Sequence, residues 1–262
     1  MALTERPSTT QAHPLPWLVS GQAFPPLANA WRETDPVPGL LAAGDTLDVP
    51  TLHKAYSQGI FPWFSLGQPV LWWSPDPRMV LQTGQFRLHR SLRKRLTQFR
   101  QTPGCDIRFD SAFEAVITAC ATKPRAGQRG TWIVPDMVQA YCELHQAGHA
   151  HSVETWIDGT LAGGLYCVNL GRMVFGESMF AHQSDASKIA LAALVAFCRA
   201  HDMRMIDCQQ NTDHLASLGA AEISRADFAL HLSHNVGKAA PRWEFETVYW
   251  NQILATETPL PP

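Results

Sequence analysis

Charge is scarce in this sequence. Asp, Glu, Lys and Arg together make up 17% of the residues, and the formal net charge is −2. With 45% hydrophobic residues, the chain is not a disordered polyelectrolyte, which combines low hydrophobicity with high net charge. Nor does its overall charge fit a domain that coats nucleic acid through global basicity. Long apolar runs are also missing. The richest, Ile189 to Cys198, is too short to span a bilayer, so no membrane partner is expected. The N-terminal residues hold Glu5, Arg6 and several prolines rather than the apolar centre of a signal peptide. Six cysteines are scattered without a single C-x-x-C pair. In a chain of this size they read as reduced thiols and point to the cytoplasm. There is no Walker A loop, no H-E-x-x-H and no glycine-rich turn after a strand, so no nucleotide cofactor and no metal is expected.

One further absence is local. Between Pro77 and Gly104 there is no Asp or Glu, while Arg78, Arg87, Arg90, Arg93, Lys94, Arg95 and Arg100 fall there. The net −2 is therefore +7 in this segment and −9 in the remainder. Local clusters of this kind bind polyanions by counterion release whatever the net charge. A solvated helix face explains the run equally well. Tryptophan is abundant instead, with nine residues. Trp63, Trp72, Trp73 and Trp132 stand in Pro- or Gly-flanked segments, either as core filler or as flat platforms on which bases stack.

The length allows one large domain or two smaller ones. Residues 1–22 read as a loose extension, 23–78 as a small N-terminal α/β domain, and 79–262 as a larger domain. Asp48 caps a helix with Pro50 in its first turn and Gly59 at its stop. The segments Phe61–Phe64 and Leu71–Arg78 read as ordered loops, too Pro-rich for central strands. Helices follow at 89–100, from Asp110 or Ser111, and over Pro135–Gln146. The period then changes to two: His151–Ile157, Leu161–Val168 and Met173–Met179 read as strands joined by turns at Asp158-Gly159 and Asn169–Gly171. A helix capped near Ser184 or Asp185, a short strand Met205–Cys208, a helix ending at Gly219 and another from Ser224 complete the pattern. The fold class is α+β, with a mixed, mostly antiparallel sheet flanked by helices. This order is compatible with the acetyltransferase (GNAT) type.

Several residues are candidates for chemistry. Glu177, within Phe175-Gly176-Glu177-Ser178-Met179-Phe180, places a carboxylate among large apolar groups, where it is either exposed or functionally perturbed. Asp207 and Gln209 flank Cys208 on a short strand, and alternation sends both to one side. A shared polar site or a hydrogen-bonded structural Asp would each explain them. His145, His149 and His151 invite a zinc reading, but no cysteine pair supports it. Ser178 and Cys208 lack a nucleophile elbow.

These segments, taken together, resemble the bacterial leucyl/phenylalanyl-tRNA–protein transferases. The resemblance lies in Gly39-Leu40-Leu41-Ala42, Ala55-Tyr56, Gly59–Phe64, Trp72–Arg78, Gly130-Thr131-Trp132-Ile133, Ala140-Tyr141 and His149–Glu154. It continues through Gly163–Tyr166, Gly176–Phe180, Ala186-Ser187-Lys188, Ile206–Gln209 and Ser217–Ala220, in order over about residues 24 to 228. It implies a small N-terminal domain and a GNAT-like transfer domain. It implies transfer of Leu or Phe, less readily Met, from aminoacyl-tRNA to the α-amine of proteins beginning with Arg or Lys, which marks them for N-end rule degradation. An aminoacyl ester as donor fits the absence of a coenzyme A pyrophosphate loop at Ala181–Asp185. By the same resemblance Trp63 and Trp132 hold the terminal adenosine, and Asp207 with Gln209 serve the reaction. Val174, Phe175, Glu177, Ser178 and Met179 shape the aminoacyl pocket. Many members have an aromatic residue where Val174 stands, which implies a differently shaped wall. Arg87, Arg90, Arg93, Lys94, Arg95 and Arg100 are expected to grip the tRNA backbone, and the protein is expected to be a monomer. An acyl-CoA-dependent N-acetyltransferase and a non-catalytic tRNA-binding module are the rival readings.

Overall fold

The structure, a computed structural model, describes residues 15–122 and 133–254. Among these residues the strands form two sheets. The smaller is built from β1 (Trp17–Leu18), β2 (Leu40–Gly44), β3 (Phe61–Pro62) and β4 (Val70–Trp73), in the order β1-β2-β4-β3. Helix α1 (Val49–Ser57) lies between β2 and β3 in sequence. Its start and stop follow the residues that announce them. The Asp48 carboxylate accepts from Thr51 N at 2.9 Å, Pro50 occupies the first turn, and Gly59 takes φ +76°. A side chain at Gly59 would also meet the Phe228 ring at 2.8 Å.

Two expectations for this region are corrected. Most of the presumed N-terminal extension lies outside the described residues, but Trp17–Leu18 pairs with β2 and Leu18 is buried. Phe61–Pro62 and Val70–Trp73 are strands, not loops. Pro62 sits on the edge strand β3, where its missing N–H costs no ladder bond. The other prolines nearby, Pro69, Pro75 and Pro77, flank β4 rather than interrupt it.

The larger sheet begins with β5 (Arg78–Gln82). Helix α2 (Arg90–Gln101), strand β6 (Cys105–Phe109) and helices α3 (Phe113–Thr122) and α4 (Pro135–Gln146) follow. The meander of β7 (Ala150–Ile157), β8 (Thr160–Leu170) and β9 (Met173–Ala181) leads through α5 (Ala186–Ala200) to β10 (Met205–Gln209). Then come α6 (Asp213–Ser217), β11 (Ala221–Ile223), α7 (Arg225–Asn235) and α8 (Asn251–Leu254). The strand order is β11-β5-β10-β9-β8-β7-β6. All pairs are antiparallel except β9 with β10, which α5 connects as a crossover must. This is the mixed, mostly antiparallel sheet expected. Strand β6, absent from the sequence reading, is the half-buried edge next to β7.

Alternation along β8 divides the core. Tyr166, Val168 and Leu170 face one cluster, with α1, α3, α4 and the smaller sheet. Leu165 and Cys167 face the other, with α2 and the apolar run Ile189–Cys198 of α5. Helix α3 is fixed from outside its own sequence. The buried Glu154 of β7 accepts from Ala112 N at 2.8 Å and from the Ser111 hydroxyl at the helix N-terminus. The Ser152 hydroxyl at 2.7 Å and Trp156 Nε1 at 2.8 Å complete its shell. An anion is favoured at that end of a helix.

Candidate active site

Strands β9 and β10 pair only at Val174–Ile206 and Phe175–Asp207. Beyond that point their pairing ends, and a cleft of about 400 Å³ opens between the two carboxyl ends. Leu165, Met179, Leu191, Leu194 and Ile206 give it an apolar wall, and Glu177, Ser178 and Gln209 a polar one. The crevice beside diverging parallel strands is where open α/β sheets place ligands.

Glu177 is the most perturbed group in the cleft. Tyr56 Oη of α1 donates to its Oε1 at 2.8 Å, and Gln209 Nε2 to the same oxygen at 3.0 Å. Tyr141 Oη of α4 donates to Oε2 at 3.3 Å, and the two tyrosine hydroxyls contact each other. No cation pairs with Glu177 among the described residues. Burial pushes its carboxyl up to about 8, and the Asp207 charge adds to this; the two tyrosine hydrogen bonds and Arg78 oppose it. The phenols of Tyr56 and Tyr141 are raised well above the usual tyrosine range, chiefly by burial and then by the charge of Glu177. Both therefore remain donors throughout the working pH range. The sequence reading missed both tyrosines as partners of Glu177. The available signal was a Tyr on the apolar face of each helix, since a buried phenol needs a polar partner.

Asp207 stands differently from expectation. It is wholly buried and absent from the cleft wall. Arg78 Nε donates to its Oδ1 at 2.8 Å and Nη2 to its Oδ2 at 2.6 Å. The Arg78 guanidinium also donates to Gly59 O at 3.2 Å and lies between the rings of Phe61 and Phe228, 4.8 and 4.6 Å from their centres. Simple alternation fails at Gln209. The pairing of β10 with β5 shifts between Asp207 and Gln209, and Gln209 takes φ +60°. Gln209 N donates to Asp207 Oδ1 at 2.9 Å, while its side-chain amide reaches Glu177. Arg78 is thus removed from the basic run, since its charge is spent on Asp207.

The other candidates divide. Ser178 and Met179 line the cleft. Val174 and Phe175, expected at its wall, are fully buried behind it, because a central strand is covered on both faces. The Phe175 ring packs against Tyr56, centres 5.0 Å apart. Cys208 also lines the cleft, and burial, followed by the Asp207 charge, pushes its thiol up to about 12, which works against a thiolate. Trp72 and Trp73 are core. Trp63 is half-buried, with its ring edge-on to Trp73 at 5.4 Å and its carbonyl accepting from Trp73 Nε1 at 2.6 Å. Trp132 lies outside the described residues. On α2, Leu92, Leu96 and Phe99 face inward, and Arg90, Lys94, Arg95 and Arg100 are exposed, as is Arg87 just before the helix. Arg93 is half-buried and donates to Leu254 O at 3.3 Å.

Of the three histidines, His145 and His151 meet beside Asp110, with potential ligand atoms within 4.8 Å of one another. His149 instead packs edge-on against His53. His151 Nδ1 bonds Asp110 Oδ2 and His145 Nδ1 bonds Ala150 O, both at 2.7 Å, while Ser152 N donates to Asp110 Oδ1 at 2.8 Å. The group is held together by the protein's own hydrogen bonds, as a clasp between the β6–α3 turn and β7.

Comparison with known proteins gives two matches to family profiles. Residues 80–233 match "Leucyl/phenylalanyl-tRNA protein transferase" and residues 45–76 match its N-terminal domain. A leucyl/phenylalanyl-tRNA–protein transferase of Polaromonas sp. (strain JS666) is 74% identical over 95% of this chain and 98% of its own length. One from Albidiferax ferrireducens is 64% identical over 95% and 98%. Among solved structures, a GCN5-related N-acetyltransferase from Kribbella flavida is similar at 9% identity and a TM-score of 0.30, over 63% of this chain and 57% of that one.

Proposed function

The chain belongs to the leucyl/phenylalanyl-tRNA–protein transferase family, and from that premise we propose that it moves Leu or Phe, less readily Met, from aminoacyl-tRNA to proteins with N-terminal Arg or Lys, feeding N-end rule degradation. It is an aminoacyltransferase, and its place of action in this reading is the cytoplasm, as a monomer without a cofactor. The observation that carries the reading is the cleft itself, with an apolar wall for the aminoacyl side chain and a polar wall for the reacting atoms. One methylene discriminates by only about 1–3 kcal/mol in such a pocket, so shape against β-branched side chains is the more effective filter.

The donor ester is already activated. The enzyme supplies position, a neutral attacking amine and stabilisation of the oxyanion. Gln209 orients the acceptor amine at the cleft. Asp207 holds Gln209 through the backbone N–H bond, and Arg78 in turn holds Asp207. Trp63, braced by Trp73, offers one face for the terminal adenosine, and Trp132 is the second member of that clamp. The exposed cations at Arg87, Arg90, Lys94, Arg95 and Arg100 contact tRNA phosphates, with Arg93 beside them, and carry little sequence information.

The test incubates the protein with labelled Leu-tRNA and a peptide beginning with Arg. Label in the peptide is expected. Label that stays on the tRNA, or calorimetric binding of coenzyme A together with acetyl transfer, refutes the reading.

A further inference from the structure

We propose that Glu177, rather than Asp207, takes the proton from the attacking α-amine and returns it to the leaving ribose oxygen. The inference rests on the aminoacyl-transfer reading and concerns only which group moves the proton.

A general base must present an unshared pair to the reacting atoms. Asp207 does not meet this condition: Arg78 donates to both of its oxygens and Gln209 N to one of them, and no part of it reaches the cleft. Gln209 cannot substitute, because a carboxamide oxygen is too weak a base to hold a proton. Its Nε2 also points at Glu177, which turns its own oxygen away from that carboxylate and frees it to accept from the amine. Glu177 is the remaining carboxylate on the cleft wall. Its Oε1 carries two donors, whereas Oε2 carries only the long contact from Tyr141. Oε2 is thus the oxygen with capacity to spare. The titratable and charged groups around it are Tyr56 on α1, Tyr141 on α4, Asp207 on β10, Arg78 on β5 and Cys167 on β8. His214 of α6 stands exposed at the rim.

The step balances without another reactant. The neutral amine attacks the ester carbonyl, the C–N bond forms, and one amine proton passes to Glu177. The tetrahedral intermediate then expels the ribose oxygen with its electron pair, and Glu177 returns the same proton to that oxygen. The carboxylate ends as it began. The raised affinity of Glu177 for protons, set by burial, suits the role, since a base titrating near the working pH transfers protons in both directions.

The experiment follows turnover at saturating Leu-tRNA and Arg-peptide from pH 6 to 9.5, in the wild type, Glu177→Gln and Tyr56→Phe. Wild-type transfer is established first, and its absence refutes the aminoacyl-transfer reading itself. Turnover is expected to rise with pH through a midpoint near 8. Tyr56→Phe removes a hydrogen bond that favours the ionised carboxylate, so the midpoint should move upward; titration of the acceptor amine alone would not follow that substitution. Glu177→Gln should lower turnover about 100-fold or more and keep tRNA affinity within about threefold. The proposal is overturned by near wild-type turnover in Glu177→Gln, by a rise in acceptor KM alone, or by an unmoved midpoint in Tyr56→Phe.

Discussion

Replacing Arg78 with Met should destabilise this protein far more than removing any of its exposed cations. The guanidinium and the Asp207 carboxylate are 1% and 0% exposed and make two charge-assisted bonds to each other. Arg78→Met leaves that carboxylate buried with Gln209 N as its remaining donor, and Asp207→Leu strands the guanidinium between two phenyl rings. Breaking a buried pair from one side costs about 3–5 kcal/mol, whereas replacing both partners with apolar groups of similar shape is often neutral or better. The single variants should therefore melt about 6–20 °C below wild type at the usual conversion for a chain of this size. The double variant should recover most of the loss. Urea unfolding followed by tryptophan fluorescence measures all four corners of the cycle. Single-variant losses below about 1 kcal/mol, or a double variant as unstable as the two losses combined, would refute the reasoning. Activity provides a second readout. A double variant that is stable but inactive assigns Asp207 to positioning Gln209, whereas one stable and fully active removes Asp207 from the reaction altogether.

Glu177 should link stability to pH with a negative slope. Its carboxyl binds protons more tightly folded than unfolded, so stability is full below about pH 4 and falls as pH rises toward 8. Glu177→Gln should flatten that fall and be the more stable protein at pH 8–9, by roughly 4–5 kcal/mol for a rise from 4.5 to about 8 at 1.36 kcal/mol per unit; a wild-type slope retained in the variant would contradict this. Glu154→Gln should cost about 1–3 kcal/mol, because its NH2 cannot accept from Ala112 N or the neighbouring hydroxyls; denaturant midpoints at unchanged m-value measure it. Reversing Arg90, Lys94 and Arg95 together should weaken tRNA binding and make log K against log salt shallower by about 2–3. An unchanged salt slope would show that α2 faces away from the RNA.

Local chemistry made most elements readable in advance. Asp48, Pro50 and Gly59 mark α1, and Asp158-Gly159 forms a hairpin turn with both residues at positive φ. The tryptophan-rich strands escaped because proline was read as an interruption, when Pro62 occupies an edge and the other prolines only flank the ladder. Strand β6 carried a usable signal, since Ile107 alternates with Asp106 and Arg108, but it is short and half-exposed. The site was legible as far as its residue types. Its connections were not. Arg78 read as one cation of a basic run, because its partner lies 129 residues away, and neither tyrosine beside Glu177 has a neighbour in sequence that hints at a carboxylate. The β-bulge that separates Asp207 from Gln209 likewise leaves no mark in Ile206-Asp207-Cys208-Gln209.

The long span between Arg78 and Asp207 also bears on how the protein is made. On a ribosome adding about 5–20 residues per second, Arg78 emerges roughly 6–26 s before the counter-charge that permits its burial. Phe228, which covers its other face, comes later still. Until then the guanidinium must stay in water, and β5 cannot take its place between β10 and β11. Strand pairing across such distances is slow to nucleate. The smaller sheet draws all its pairs from residues 17–73, whereas β5, though made before β10 and β11, is locked in place only once both exist.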